Sequence, residues 1–489
     1  MAVRRRARSN VVRTIDGIAP SVSPDCNAWG RLGLRTPDEP AEQRTMTIPH
    51  PAAGPFDAFD PAAAARRERV LREAVRRRLL DPEDALLAAF VDLDGVAASV
   101  ADLRAAFPDR LDVLHTFAAK ANCLVPLLAR LRELGMGCEV ASPGEFAHAL
   151  AAGFEPDRIV LDSPAKTRRE LAAALELGVA VNIDNWQELE RADALVGAGT
   201  PRSRIGVRVN PQIGGGTIGA MSTATATSKF GIGLADEGNG KRLVEAFRER
   251  PWLTWVHVHV GSQGCPLDLL AEGVARAVEF AERVNAELGR RQVVGIDLGG
   301  GLPVNFADDT TAPTFAGYAE LLRSRVPELF DGGYRLATEF GRSLLAKNGF
   351  TAAYVEYTKT AGGRRIALTH AGAQVATRTV FAPDAWPLRI TAHHPTGAQK
   401  HGEPVPQDVA GPCCFAGDLV AVARPLPLLE PGDLVALLDT GAYYATTHFQ
   451  YNSLPEPAVH GFTVEAGGAV RFVPLRRAQR VDELLRPVD

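Results

Sequence analysis

The sequence predicts an α/β protein in which a TIM-like (β/α)8 barrel is followed by a separate β domain. Two observations carry this prediction. From about residue 112, a short β-branched run followed by an Ala/Leu/Arg/Glu-rich helical stretch occurs eight times, as a (β/α)8 barrel requires. After about residue 350 the pattern changes to short alternating strands separated by Gly and Pro, which is typical of a β-sandwich or β-barrel-like domain.

The eight runs set the order of the barrel strands. Before them, residues 56–110 contain a helical stretch and the run 87–93, which lies outside the eight and is predicted to pair with the C-terminal domain. The barrel is assigned to 111–345 and the β domain to 346–489. The eight predicted strands are 113–118, 137–141, 158–162, 179–184, 204–210, 254–260, 293–298 and 334–339.

Composition narrows the class of partner. The chain has 489 residues, of which 46% are hydrophobic and 23% charged, enough to bury one large core or two. A net charge of −4 gives no overall positive field for nucleic acid or anionic lipid. No apolar run reaches the roughly 18–20 residues that span a bilayer. Six cysteines without CxxC spacing favour a reducing cytoplasm, so a small-molecule partner in the cytoplasm is expected.

The N-terminal residues 1–55 are predicted to form a disordered tail. They are rich in Arg, Pro, Ser and acidic residues and lack apolar periodicity. The Arg cluster at 4–8 is followed by no apolar stretch, which argues against a secretory signal. Two alternatives stay open: a nucleic-acid-binding arm, or a chain whose true first residue is Met46.

Lys120 stands at the end of the first predicted strand, in the segment 117–122 (FAAKAN). The chain contains only seven lysines among its 54 basic residues, so a lysine at this place is informative. Reactive groups of barrels collect at the C-terminal ends of strands. Among small apolar neighbours, this amine is expected to have a lowered pKa and to form a Schiff base. A surface lysine that reaches solvent is the alternative.

Other polar residues stand at the ends of later strands. The alternation in His257-Val-His259 places both imidazoles on one face, toward the mouth. Two histidines without a third ligand make a weak metal site, so no metal is expected. The glycines 299–301 leave amides free to hold an anion such as phosphate, and Glu339 and Arg342 follow the eighth strand. An amine, an anion site, a ring-stacking group and an acid are what pyridoxal phosphate requires.

These motifs resemble those of the barrel-fold (fold type III) pyridoxal-phosphate decarboxylases of ornithine, arginine and diaminopimelate, most closely the diaminopimelate type. The similarity runs from about residue 85 to about residue 465. It implies that Lys120 holds the cofactor, that His259 stacks on its ring as a further catalytic residue, and that Glu339 pairs with the pyridine nitrogen. The cofactor-binding set implied by the resemblance is Lys120, His259, Ser262, Gly299, Gly300, Gly301, Glu339, Arg342 and Tyr443.

The segment 411–418 resembles the loop that a homodimer partner inserts into the active site of these enzymes. The resemblance therefore implies a head-to-tail homodimer with two shared active sites. It makes Cys414 the catalytic thiol, although a one-residue shift would give that role to Cys413. The substrate-binding set implied by the resemblance is Arg342, Cys414, Phe415, Asp418 and Tyr451.

One departure from the family bears on the substrate. The acidic residue that holds the distal ammonium of a diamino acid is replaced by Phe415, and a buried ammonium without its partner is costly. We therefore expect a decarboxylase acting on an amino acid, or a derivative including carrier-linked ones, with an apolar, neutral or acyl-linked distal end. Such substrates fit specialised-metabolite or siderophore pathways better than lysine synthesis. Two alternatives stay open: a racemase with the same cofactor, and a catalytically silent paralogue that binds a protein.

Overall fold

The computed structural model describes residues 59–197 and 199–485, so the tail expected at 1–55 lies outside the described residues. None of the helices in these ranges is long and apolar enough to cross a lipid bilayer. The helices are α1 (Pro61–Arg76), α2 (Leu93–Ala106), α3 (Val125–Glu133), α4 (Pro143–Ala151), α5 (Arg168–Leu177), α6 (Trp186–Val196), α7 (Asn239–Glu249), α8 (Leu267–Leu288), α9 (Phe315–Arg325), α10 (Arg342–Leu345) and α11 (Ala373–Phe381).

The strands form two sheets. They are β1 (Leu87–Asp92), β2 (Val113–Ala118), β3 (Gly137–Val140), β4 (Ile159–Leu161), β5 (Ala180–Ile183), β6 (Ile205–Asn210), β7 (Ile232–Gly233), β8 (Leu253–His257), β9 (Gly295–Asp297), β10 (Arg335–Phe340), β11 (Gly349–Ala361), β12 (Arg364–Thr369), β13 (Ile390–His393), β14 (Val405–Ala410), β15 (Leu419–Leu426), β16 (Leu434–Leu438), β17 (Ala458–Val464) and β18 (Val470–Arg476).

The first sheet is a closed parallel barrel, which confirms the predicted fold class. Its strands follow the order β5-β4-β3-β2-β10-β9-β8-β6, and pairing of β5 with β6 completes the ring. The closing contact joins the first and last barrel strands, with Glu339 opposite Thr116 and Phe340 opposite Phe117. Each of the eight predicted runs overlaps one of these strands.

Burial and capping explain why these segments form barrel elements. All four residues of β3 and all four of β5 are buried, as expected for parallel strands covered by helices on one side and a packed interior on the other. Helix α5 begins with a capping box between Thr167 and Glu170 and ends at Gly178, whose φ of 88° is left-handed. Such start and stop signals limit the helix to the length that returns the chain to the next strand.

The second sheet includes a strand that precedes the barrel in the chain. β1 pairs antiparallel with β11 and parallel with β17, within the order β15-β14-β12-β11-β1-β17-β18; β16 pairs with β11 and β13. Phe90 of β1 stacks on Phe350 with ring centroids 5.1 Å apart and meets Phe472 edge-on at 6.0 Å. The N-terminal strand thus contributes core side chains to the β domain.

We expect Phe90→Ala to lower the free energy of unfolding by about 3–5 kcal/mol, the usual cost of removing a buried phenyl ring. Phe90 is 1% exposed, so the substitution would leave a cavity that is enclosed by protein. Tyr357→Ala on β11 is a matched control, since Tyr357 is 64% exposed and its loss should change stability by less than about 0.5 kcal/mol. Urea unfolding measures both; equal losses for the two variants would contradict the packing described.

Candidate active site

A cavity of about 250 Å³ lies at the C-terminal ends of the barrel strands. It brings together most of the predicted cofactor residues and adds Arg378 of α11, which the sequence analysis did not single out. Gly299 and Gly300 are buried next to it, whereas Cys414, Phe415, Asp418 and Tyr451 do not line it. The predicted residues that line it are Lys120, His259, Ser262, Gly301, Glu339, Arg342 and Tyr443.

Lys120 lies in a single turn of 3-10 helix, Ala119–Ala121, that directly follows β2. Its ammonium forms an ion pair with Glu139 at the end of β3. Enclosure opposes the charged amine, but the carboxylates of Glu139 and Glu339 outweigh it and raise the pKa of Lys120 above its ordinary value. The expected lowered pKa is therefore wrong for this structure, because the lysine's neighbours in space are acids rather than the small residues beside it in sequence.

Glu139 is the acid that the sequence analysis missed. It is fully buried, and burial raises its pKa to about 7 although Lys120 opposes this. The available signal was its position, since an acidic residue in the predicted strand 137–141 faces the same mouth as the end of the neighbouring strand. The Lys120–Glu139 contact therefore holds a proton between two groups that both stand at the reactive end of the barrel.

Glu339 ends the barrel strand β10 and is 2% exposed. Neither of its carboxyl oxygens has a hydrogen-bond partner among the described residues. Burial raises its pKa well above the ordinary value, and the nearby Asp297 raises it further although His257 opposes this. Buried polar atoms without partners are rare in folded proteins, so this acid is suited to a ligand atom that exchanges a hydrogen bond with it.

The two histidines at the end of β8 have different surroundings. His257 is fully buried, with Nε2 3.4 Å from Asp162 and Nδ1 3.4 Å from Asp297. Burial opposes its charge, but these carboxylates prevail and raise the pKa of His257 well above the ordinary value. His259 lines the cavity, and burial together with Arg208 lowers its pKa well below that value. The expected placement of both rings at the mouth is thus correct only for His259.

His257, Asp162 and Glu339 each offer an atom within 4.8 Å of the others. The group contains only one of the two histidines of the sequence pattern, together with two acids that the pattern did not bring to it. Arg208 donates to Asp162 at 3.0 Å and thereby places a cation on the same carboxylate. We interpret the group as a balanced set of buried charges below the mouth.

The glycine loop after β9 forms a tight cradle. A Cβ on Gly300 would lie 2.1 Å from the carbonyl oxygen of Glu339, and one on Gly301 would lie 1.9 Å from that of Gly261. Gly301 also has a φ of 92°, which side-chain-bearing residues rarely adopt. Asp297 accepts a hydrogen bond from the amide of Gly299 at 3.0 Å. The loop can therefore approach an anion closely only because all its members are glycine.

Two arginines share the opposite wall. The guanidinium carbons of Arg342 and Arg378 lie 4.3 and 4.7 Å from the ring centroid of Tyr443, and 4.6 and 5.0 Å from that of Trp386. Nε of Arg342 and Nη1 of Arg378 have no hydrogen-bond partner among the described residues. Burial lowers the pKa of Arg342 to about 10. This wall is suited to anionic groups; an arginine between two threonines in an otherwise apolar helix was the available signal for Arg378.

The loop between β14 and β15 carries the remaining predicted residues. Cys414 is exposed, whereas Cys413 is buried with Sγ 3.8 Å from Gln374, and burial raises the pKa of its thiol to about 11. Asp418 is 3% exposed and accepts hydrogen bonds from the amides of Ala373 and Cys413, both at 2.6 Å. This differs from the substrate contact expected of Asp418, because the main chain uses both its oxygens to shape the loop.

Comparison with known proteins gives consistent matches. Residues 93–346 match the family model described as the pyridoxal-dependent decarboxylase pyridoxal-binding domain. A diaminopimelate decarboxylase of Pseudomonas aeruginosa is 33% identical over 70% of this chain and 79% of its own, and one of Aquifex aeolicus is 28% identical over 78% and 87%. The crystal structure of the Helicobacter pylori diaminopimelate decarboxylase with L-lysine superposes with a TM-score of 0.71 at 27% identity, covering 82% and 96%.

We expect Gly301→Ala to weaken the binding of pyridoxal phosphate at least about tenfold, because the added methyl group would displace the Gly261 carbonyl from the cradle. Titration of the apoprotein with the cofactor, followed by fluorescence, measures the dissociation constant. Gly219→Ala is a control from a nearby loop, where an added Cβ meets no atom within 4 Å. Unchanged affinity in Gly301→Ala would show that the loop does not hold the phosphate.

Proposed function

Because the chain belongs to the family of pyridoxal-dependent decarboxylases, we propose that it decarboxylates an amino acid whose distal end carries no free ammonium group. One observation carries the catalytic part of this proposal. Within the part of the chain that the structure describes, one cavity brings together a lysine amine, a buried acid whose oxygens accept no hydrogen bond, a glycine cradle and two arginines that form no ion pair. The substrate part rests on Phe415, which stands at the position where the family has an acid.

The family's cofactor is pyridoxal 5′-phosphate, and the cavity residues fit it. Lys120 would hold it covalently, the glycine cradle and Arg342 would hold its phosphate, and Glu339 would meet its ring nitrogen. When bound, the cofactor supplies an electron sink for the pair released as the bond between Cα and the carboxyl group breaks. The unpartnered oxygens of Glu339 and the glycine-only backbone around Gly301 are the features that support this fit.

The chain's own groups manage the protons. Lys120 must lose a proton before its amine can react, and until then its ion pair with Glu139 holds the ammonium at the mouth of the barrel. Burial raises the pKa of Glu339 well above its ordinary value, and its oxygens, which have no hydrogen-bond partner among the described residues, would share a proton with the ring nitrogen. Burial lowers the pKa of His259 well below its ordinary value, which favours the neutral imidazole. A neutral imidazole can stack on an aromatic ring without the cost of burying a charge.

The proton that replaces the lost carboxyl group comes from outside this cavity. After carbon dioxide leaves, Cα needs one proton to form its new C–H bond. Cys414 is exposed and does not line the cavity of its own chain, so we assign this role to Cys414 of a second copy in a homodimer with shared sites. Cys413 is the poorer candidate because its thiol is buried against Gln374.

The replacement of the family's acid by Phe415 supports a substrate other than diaminopimelate. Phe415 stacks on Phe381, with centroids 5.6 Å apart and planes 4° from parallel. These rings offer an ammonium group no charged partner in the place of the family's acid. We therefore place the enzyme in specialised metabolism, siderophore synthesis included, rather than in lysine synthesis, with free or carrier-linked substrates.

Carbon dioxide release from a panel of amino acids tests the proposal. The panel contains meso-diaminopimelate, lysine, ornithine and arginine, and against them apolar amino acids of both configurations with their acyl and carrier-protein derivatives. We expect kcat/KM for the best uncharged substrate to exceed that for meso-diaminopimelate at least about tenfold. A preference for meso-diaminopimelate would overturn the substrate part. Racemisation without carbon dioxide release, or no turnover at all, would overturn decarboxylation.

Lys120→Ala should abolish both activity and the visible absorbance of lysine-bound pyridoxal phosphate, since the amine forms the covalent link. Absorbance spectra of the purified variant with added cofactor measure this directly. Lys359→Ala, at an exposed position of β11, is the matched control and should keep the wild-type spectrum. A retained band in Lys120→Ala would assign the cofactor to another lysine.

Cys414→Ala should lower kcat about 100-fold or more, the typical contribution of a positioned general acid. Cys413→Ser, one residue away, should keep kcat within about threefold, because removing a buried thiol that makes no cavity contact leaves proton transfer intact. Steady-state carbon dioxide release measures both variants. The reverse pattern would assign the proton donor to Cys413.

A further inference from the structure

Four aromatic side chains from three separate segments form a closed cycle of ring contacts, which we call the aromatic tetrad. Phe381 ends α11, Phe415 lies between β14 and β15, and Phe449 and Tyr451 lie between β16 and β17. Two of the four contacts are stacked, with ring centroids 5.6 Å apart for Phe381–Phe415 and 5.5 Å apart for Phe449–Tyr451. The other two are edge-on, with centroids 5.7 Å apart for Phe415–Tyr451 and 5.6 Å apart for Phe381–Phe449.

The tetrad is a surface feature rather than part of the core. Phe381 is 59% exposed and Tyr451 is 38% exposed, and none of the four rings belongs to a buried apolar cluster. Large rings held in water in one contiguous patch mark a binding surface more often than a structural one. The domain's packing therefore does not account for this arrangement.

The tetrad is connected to the active-site cavity through α11, although none of its four rings lines the cavity. Phe381 follows Arg378 by three residues on α11, so the two side chains project from the same side of the helix, and Arg378 lines the cavity. Tyr451 contacts the loop that carries the exposed thiol, since its hydroxyl donates to the carbonyl of Cys414 at 3.5 Å. The tetrad is therefore linked to Arg378 along the helix and to the Cys414 loop through Tyr451.

The chemistry of the tetrad selects an uncharged ring. Tyr451, the one member with a polar group, donates to a carbonyl rather than to a carboxylate, and both oxygens of Asp418 in the Cys414 loop accept main-chain amides. Aromatic cages can bind ammonium groups, but such cages turn several faces toward one centre. In the tetrad, Phe381 stacks on Phe415 and Phe449 stacks on Tyr451. One face of every ring is therefore covered by its neighbour and does not face a common centre. The adjacent Arg378, without an acidic partner, further disfavours a cation.

We propose that the aromatic tetrad binds an aromatic group at the distal end of the substrate, so that the enzyme acts on an amino acid with an aryl side chain or aryl-acyl substituent. This inference rests on the proposed function, since it places the tetrad at the end of the substrate opposite the reacting Cα. The exposed ring faces provide stacking and edge contacts with geometric preference, and the arginine wall holds the substrate's anionic end.

Amine binding to the holoenzyme tests the inference independently of turnover. Phenethylamine carries an aryl group, 2-cyclohexylethylamine has the same size without aromaticity, and cadaverine carries a distal ammonium. Dissociation constants come from the change in cofactor absorbance on titration. We expect phenethylamine to bind at least about tenfold more tightly than cadaverine and several-fold more tightly than 2-cyclohexylethylamine.

Two variants connect that preference to the tetrad. Phe415→Glu should reverse the order of phenethylamine and cadaverine, because it places a carboxylate on the surface. Phe381→Leu keeps an apolar side chain but removes one ring, and should weaken phenethylamine about five- to tenfold while sparing cadaverine. Tyr357→Ala, an exposed tyrosine on β11 outside the tetrad, should change neither constant. Thermal melting and gel filtration verify that each variant keeps its fold and subunit state.

The outcomes separate this inference from the proposed function. Equal affinities for the three amines, or variants that alter subunit association without changing the preference, would overturn the tetrad as a substrate site even if carbon dioxide is released from apolar amino acids. Selective phenethylamine binding that Phe381→Leu abolishes would support it even if no amino acid on the panel is decarboxylated, in which case the proposed function alone fails.

Discussion

Closure of the barrel between its first and last strands is the constraint from which the site follows. Pairing of β2 with β10 sets Glu339 opposite Thr116, and Lys120 leaves the same end of β2 a few residues later. Parallel strands point all their C-terminal ends to one side, so the amine and the buried acid meet although most of the barrel separates them in sequence. A register shift of one residue would turn Glu339 away from the interior and remove an acid that lines the cavity and whose oxygens have no hydrogen-bond partner among the described residues.

Closure also concentrates charge where water is scarce. Several acids and basic groups lie below and around the cavity, among them Glu139, Asp162, Asp184, Asp297 and Glu339, and Lys120, Arg208 and His257. Each of these three basic groups lies against a carboxylate, and His257 contacts two. A buried carboxylate without a partner is costly to keep ionised, and burial raises the pKa of Glu339 well above its ordinary value. Neither oxygen of Glu339 has a hydrogen-bond partner among the described residues, which suits this acid to a ligand atom such as a ring nitrogen.

The parts of this structure that the sequence predicts are those that depend on local pattern. Buried parallel strands appear in the sequence as β-branched runs, and each predicted run overlaps an observed strand. Lys120, His259 and Glu339 follow from their place at strand ends together with motif resemblance. Glu139 as the partner of Lys120, and the raised pKa that results, depend on which strand lies beside β2, which periodicity does not reveal. Arg378 and the tetrad depend on contacts among loops of the second domain, for which no repeat gives a register.

The two domains contribute different residues to the proposed site, and this difference bears on substrate choice. The barrel supplies the amine, the buried acid and the glycine cradle, all held by strand ends and by coupled charges that tolerate little change. The β domain supplies Arg378, Cys414 and the four rings, all in α11 or in loops. Loops accept substitution at smaller cost than a buried charge network because their side chains are partly solvated. Phe415 lies in such a loop, so under the proposed function a substitution there changes what the enzyme holds at the distal end without disturbing the buried charges of the barrel. The chemistry of the barrel mouth and the choice of substrate can then change independently.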